Sequence, residues 1–161
     1  MWWHWLVGYA FSAGAGLLFI TLLNTRLYQA LGWEKGKQGD ELHPHRYHPA
    51  MVGVAERTLY TAAWQLGKPE FIGVWLVFKV AGQWGGWTND RSIDGKKVLG
   101  RAVYNVFMIG NAFSLAYAVA GAMIPGWLAD QQYLLAILIP LAVMLATLAF
   151  TAWASGKTAA A

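Results

Sequence analysis

Five charged residues, Glu56, Arg57, Lys68, Glu70 and Lys79, stand in a stretch, residues 51–84, that is otherwise apolar enough for a membrane. A charge left alone at the centre of a bilayer costs at least about 2.5 kcal/mol on insertion scales, so each of them needs a partner, water or an exit to the surface. Two chemistries follow: an ion or proton path, or a closed ion pair that holds helices together. The stretch breaks at Gly67-Lys68-Pro69, and Glu56 lies eleven positions before Gly67 while Lys79 lies ten after Pro69. Antiparallel halves put these two at one depth, where a salt bridge is expected. Arg57 is then expected to snorkel to the cytoplasmic surface, its stem in lipid and its head in water.

A second constellation is His43, His45 and His48, with Asp40 and Glu41 close by. Neutral imidazoles bind zinc, copper or nickel. However, Pro44 and Pro49 make the segment irregular and Arg46 places a cation among the ligands, so the expectation is that it holds no metal tightly. On a later segment Tyr104, Asn111 and Ser114 share a helical face, with Asn105 and Tyr117 nearby. Such groups bond neighbouring helices, because an unpaired amide in hydrocarbon is costly; they could instead line a pocket or pore. Near the N-terminus Gly8, Ser12 and Gly16 recur every fourth residue, a smooth ridge suited to close internal helix packing or to a second helix from outside. His4, among tryptophans, reads as an interface residue rather than a haem ligand. The absence of cysteine excludes disulfides, thiolate metal ligands and a cysteine nucleophile. No Ser/His/Asp set or acidic metal cluster lies in the apolar segments, and no cofactor is expected.

The elements that must position these residues are helices. The chain has 161 residues, of which 57% are hydrophobic and 12% charged, against about 25% charged in soluble domains. This predicts a single integral membrane domain over residues 1–161, an all-α polytopic protein with three full spans plus a central broken helix hairpin. The spans are predicted at residues 1–23, 102–124 (ended by Pro125-Gly126) and 132–153 (kinked at Pro140). Residues 26–31 extend the first helix beyond the lipid. The first span reads as retained rather than cleaved, since it lacks a positive leading region and a small-residue cleavage site. The hairpin halves, residues 51–66 and 69–84, are each only about 16 residues or roughly 24 Å long, which suits two short spans or a re-entrant loop. Gly67 accepts a left-handed helix cap, Pro69 suits a first helical position, and Glu70 meets the positive end of the helix dipole. Residues 24–49 and 85–100 read as loops, with a turn at residues 85–90.

Charge decides the predicted orientation. The first loop carries Arg26, Lys35, Lys37 and Arg46, and the second Arg91, Lys96, Lys97 and Arg101. The positive-inside bias puts both in the cytoplasm with the C-terminus, and the N-terminus outside. The net charge of +4 is explained this way without nucleic acid; the expected partners are the lipid bilayer and either further copies of the chain or other membrane subunits. The run Glu56-Arg57-x-Leu59, followed by Gly67, Ile72-Gly73 and Lys79, resembles uncharacterised multi-spanning bacterial membrane proteins. The resemblance implies a bacterial inner-membrane setting and carries no function. The expected function is a non-enzymatic helical subunit of a membrane assembly, or a homo-oligomer. The alternatives are a small oligomeric channel or transporter using the hairpin charges and, third, a membrane-surface metalloenzyme using the histidine segment.

Overall fold

Residues 2–31, 48–88, 91–93, 96–98 and 100–158 are described by a computed structural model. The three apolar runs form helices long and apolar enough to cross a membrane: Trp3–Ala30, Gly100–Ala129 and Tyr133–Gly156. We name the first α1 and the second α4; the third belongs to α5, Tyr133–Thr158. Between them lie α2, His48–Gln65, and α3, Glu70–Thr88. A short antiparallel ribbon then pairs β1, Arg91–Ile93, with β2, Lys96–Val98, in the register Arg91↔Val98, Ser92↔Lys97 and Ile93↔Lys96. Apart from this ribbon, which the sequence does not announce, the described secondary structure is helical.

Several boundaries differ from expectation. Within α1 the turn from Ala10 to Ala15 is π-helical, whereas the continuation of the helix to Ala30 agrees with the expected extension over residues 26–31. The expected end of α4 at Pro125-Gly126 is wrong, because the helix passes through Pro125 to Ala129. Proline at this position withholds a hydrogen bond from the carbonyl of Gly121, four residues earlier. That carbonyl faces Gly8 of α1 so closely that a Cβ on Gly8 would lie 2.4 Å from it. The α1 backbone at Gly8 thus packs closely on the freed carbonyl. Residues 85–88 also prove helical rather than a turn. Glycine lowers helix propensity by about 1 kcal/mol without forbidding the helix.

At the end of α2, Gly67 is left-handed with φ +67°. Lys68 N–H bonds the Ala63 carbonyl at 2.9 Å and Gly67 N–H bonds that of Trp64 at 3.1 Å, the paired bonds of a Schellman cap. The same pattern ends α4, with Gln132 N–H on Trp127 at 2.7 Å and Gln131 N–H on Leu128 at 3.4 Å. There Gln131 takes the left-handed position, at φ 58°. Nothing lies within 4 Å of a Cβ built on Gly67, so Gly67→Ala is expected to cost only its backbone strain, about 1–2 kcal/mol. Gln131→Gly should change stability in the opposite direction by less than that. Reversible unfolding in detergent reads both.

Contacts give the helix directions. Arg57 reaches Ser114, Thr61 reaches Ala118 and Gln65 reaches Ala122, each pair 57 positions apart. A constant offset means that α2 and α4 run parallel. Gly8 lies against Gly121 and Asn24 against Gly110, so α1 is antiparallel to α4. Tyr117 with Thr147 and Phe113 with Phe150 make α5 antiparallel to α4 as well. Ala63 packs with Ile72, while Glu56 meets Lys79; α3 therefore runs back along α2. The core has two parts. Leu23, Leu27, Val106 and Ala154 join α1, α4 and α5, and Tyr60, Ala63, Ile72 and Ala118 join α2, α3 and α4. The outer faces stay apolar, with Leu134, Ile137, Leu138 and Leu145 exposed on α5 and Val74, Val77 and Phe78 on α3. Such surfaces suit lipid or other membrane helices.

Candidate functional site

Helix α2 carries Glu56 and Arg57 side by side, and neighbouring residues on a helix point about 100° apart. One therefore faces α3 and the other α1, with α4 closing both sides.

On the α3 side, Glu56 Oε1 accepts from Trp75 Nε1 at 3.1 Å and Oε2 accepts from Lys79 Nζ at 2.6 Å. Lys79 also donates to Asn111 Oδ1 at 2.8 Å, and Asn111 Nδ2 donates to the Phe107 carbonyl at 2.7 Å. The ammonium lies 5.1 Å from the centre of the Phe107 ring, a cation–π contact. Trp75 and Lys79 are four apart on α3, as are Phe107 and Asn111 on α4, so each helix presents two groups on one stripe. The Lys79 and Glu56 side chains are 18% and 5% exposed. Burial of this order makes an unpaired member costly and a hydrogen-bonded pair tolerable.

On the α1 side lies the main correction to the sequence reading. Arg57 does not snorkel to a surface; it is 2% exposed and sits inside the bundle. Its Nη1 approaches Ser114 Oγ and its Nη2 the Ala13 carbonyl, both at 3.5 Å. Ser114 is fourteen residues from Gly100 and fifteen from Ala129, which places the guanidinium midway along α4. Glycines make this possible. A Cβ on Gly16 would lie 2.6 Å from Arg57 Nε, and one on Gly53 3.2 Å from Nη1, so the planar head occupies space that any larger residue would fill. The π-helical turn supplies the Ala13 carbonyl that receives it; single π-helical turns of this kind are frequent at functional sites. Beside the guanidinium, Thr61 Oγ1 donates to Ser12 Oγ at 2.8 Å and approaches the Ala118 carbonyl at 3.2 Å. Ser12 Oγ in turn lies 3.4 Å from the Arg57 carbonyl.

The other expected site residues are distributed differently. Glu70 is exposed in the first turn of α3 and takes no part in the charge cluster, because it lies at the turn and not at mid-helix. Gly8, Ser12 and Gly16 all face inward, against Gly121, Thr61 and Arg57. The polar face of α4 divides: Asn111 serves α3, Ser114 serves α2, Tyr104 is half-buried and Asn105 is exposed. Tyr117 turns to α5, donating to Thr147 Oγ1 at 3.3 Å, with the rings of Phe11 and Phe19 stacked on it. His4 lies edge-on to Trp3 with ring centres 4.1 Å apart. His43 and His45 fall outside the described residues and His48 opens α2. Among the described residues no three His, Asp or Glu side chains are grouped to hold a metal ion. Thr61, Trp75, Gly53 and Thr147 were not foreseen, though the repeat of Arg57, Thr61 and Gln65 at four-residue intervals was a signal for a polar stripe.

Chemically, the Glu56 carboxylate is held by two donors and the Thr61 hydroxyl donates to another hydroxyl rather than to a base. This is the bonding of a packed interior. No known protein family, no curated protein and no solved structure matches the chain.

Proposed function

We propose that this protein is a non-enzymatic integral membrane protein that works by helix packing, as a small subunit of a larger membrane assembly or as a homo-oligomer. One observation carries the reading. The carboxylate and ammonium that could have carried ions through the membrane close on each other at 2.6 Å, and Trp75 and Asn111 complete their bonding. A conducting path needs its charges in water, whereas a packed subunit needs them paired. In this reading α2 and α3 lie in the bilayer as a short hairpin beside the three spans. Their register along the middle of α4 and the exposed Val74, Val77 and Phe78 support that position.

The setting that goes with it is a bacterial inner membrane, with the N-terminus outside and the C-terminus cytoplasmic. The helix directions are compatible with that orientation: the end of α1, the starts of α2 and α4 and the ends of α3 and α5 gather at one end of the bundle. Both cation-rich segments leave from that end. Single cysteines at Lys37 and Lys96 are expected to react with an impermeant reagent from the same face of the membrane. Labelling from opposite faces overturns the arrangement.

The function is tested with the full-length protein in two preparations. Native electrophoresis of gently solubilised membranes is expected to show it in a species heavier than the monomer. Proteoliposomes are expected to pass protons, potassium and chloride no faster than empty vesicles. A flux abolished by Glu56→Gln would replace the packing reading with a channel or transporter.

A further inference from the structure

The interior charges do not balance. Among the residues whose side-chain exposure is described, Glu56, Arg57 and Lys79 are the charged ones that are not exposed, and the one carboxylate is held by Lys79. Arg57 is left 2% exposed, beside the middle of α4, a helix long enough to span a membrane, and no carboxylate among the described residues forms a salt bridge with it. A guanidinium has five N–H donors. Here two of them make contacts, both at 3.5 Å, and Nε has no partner. Ordinary N–H···O bonds fall near 2.9–3.0 Å and charge-assisted ones are shorter, so these contacts leave most of the donor capacity unspent. The hydroxyl of Ser114, which accepts from Nη1, has its own proton to give.

We propose that Arg57 and Ser114 hold one small inorganic anion of halide size as a resident counter-ion in the bundle. The charge count asks for a single negative charge. The donors available to it are guanidinium N–H groups and the Ser114 hydroxyl, which suit an acceptor without directional lone pairs. The α1 backbone at Gly16 and the α2 backbone at Gly53 pass so close to the guanidinium that neither position has room beside it for a side chain, which favours a small ligand over phosphate or a bulky carboxylate. A monovalent halide also costs less to strip of water than a multivalent oxyanion. The inference is independent of whether the protein is a packing subunit or a channel, since it concerns the neutrality of the core and is read from stability rather than from assembly or flux.

The test uses full-length protein purified in sodium gluconate and titrated with sodium chloride or bromide at constant ionic strength. A ligand that binds the folded state alone raises the unfolding temperature in a saturable way. The expected shift is about 4 °C or more at saturation. Arg57→Gln should remove the halide response. If that variant does not fold, Ser114→Ala retains the cation and should move the half-saturating halide concentration up by about tenfold, the loss of one good donor. Crystals grown in bromide should show anomalous density beside the guanidinium. Equal unfolding temperatures in gluconate and halide overturn the proposal, as does a halide response that is unchanged in both variants.

Discussion

Replacing Lys79 by Met is expected to destabilise the folded protein by about 3 kcal/mol, the double variant with Glu56→Gln to recover part of that loss, and Glu56→Gln alone to cost less than Lys79→Met. The order follows from the bonding. Without Lys79, the Glu56 carboxyl is left 4% exposed as a residue with Trp75 as its remaining donor and no cation across from it on α3. Without the Glu56 charge, the ammonium still has the Asn111 oxygen at 2.8 Å and the Phe107 ring, and a glutamine oxygen can take over acceptance from Trp75. The double variant buries no unmatched charge at this place. Its loss should therefore fall below the sum of the single losses, with a coupling inside the range of about 0.5–3 kcal/mol found for contacting residues. Reversible unfolding in mixed micelles gives all three values. Losses that simply add would mean that water reaches the pair in the native state, and the packing role assigned to it would fail.

The second large effect is expected at glycines. Gly8→Ala and Gly121→Ala should each cost up to about 3 kcal/mol, whereas Gly14→Ala and Gly73→Ala should be neutral or stabilising by up to about 1 kcal/mol. All four changes add one methyl group to a helix, so propensity alone predicts that all four help. The difference is what the methyl group meets. At Gly8 it would lie 2.4 Å from the Gly121 carbonyl, and at Gly121 it would lie 2.6 Å from the Gly8 carbonyl and 2.8 Å from Ser12 Cβ. Both obstacles are close to backbone and cannot swing away, so α1 and α4 would have to separate. At Gly14 and Gly73 nothing stands within 4 Å. Separation at Gly8 would also pull Ser12 from Thr61 and the Ala13 carbonyl from Arg57, since all three sit on the same helix within five residues. Thermal unfolding of the four variants in one detergent checks the contrast. Equal effects at all four positions would show that the close approach of α1 and α4 is not maintained.

What the sequence determined by itself was whatever depends on neighbours along the chain. Three apolar runs of sufficient length give three helices able to cross a membrane, because a backbone in hydrocarbon must satisfy its own hydrogen bonds. The left-handed cap at Gly67 was legible for the same reason: glycine is the residue that takes positive φ without a steric cost. The facing of Glu56 and Lys79 needed only nearly equal counts from the break at Gly67-Lys68-Pro69. Tertiary structure decided what no local count contains. Arg57, read alone, has a stem long enough to reach a surface. It turns inward because Gly16, on a helix more than thirty residues away in sequence, leaves space for its head and the Ala13 carbonyl receives it. Pro125, read alone, is a stop. It stays inside α4 because the carbonyl it frees packs on Gly8. In each case the deciding atoms belong to another helix, and the distance between two helices is a property of both surfaces together.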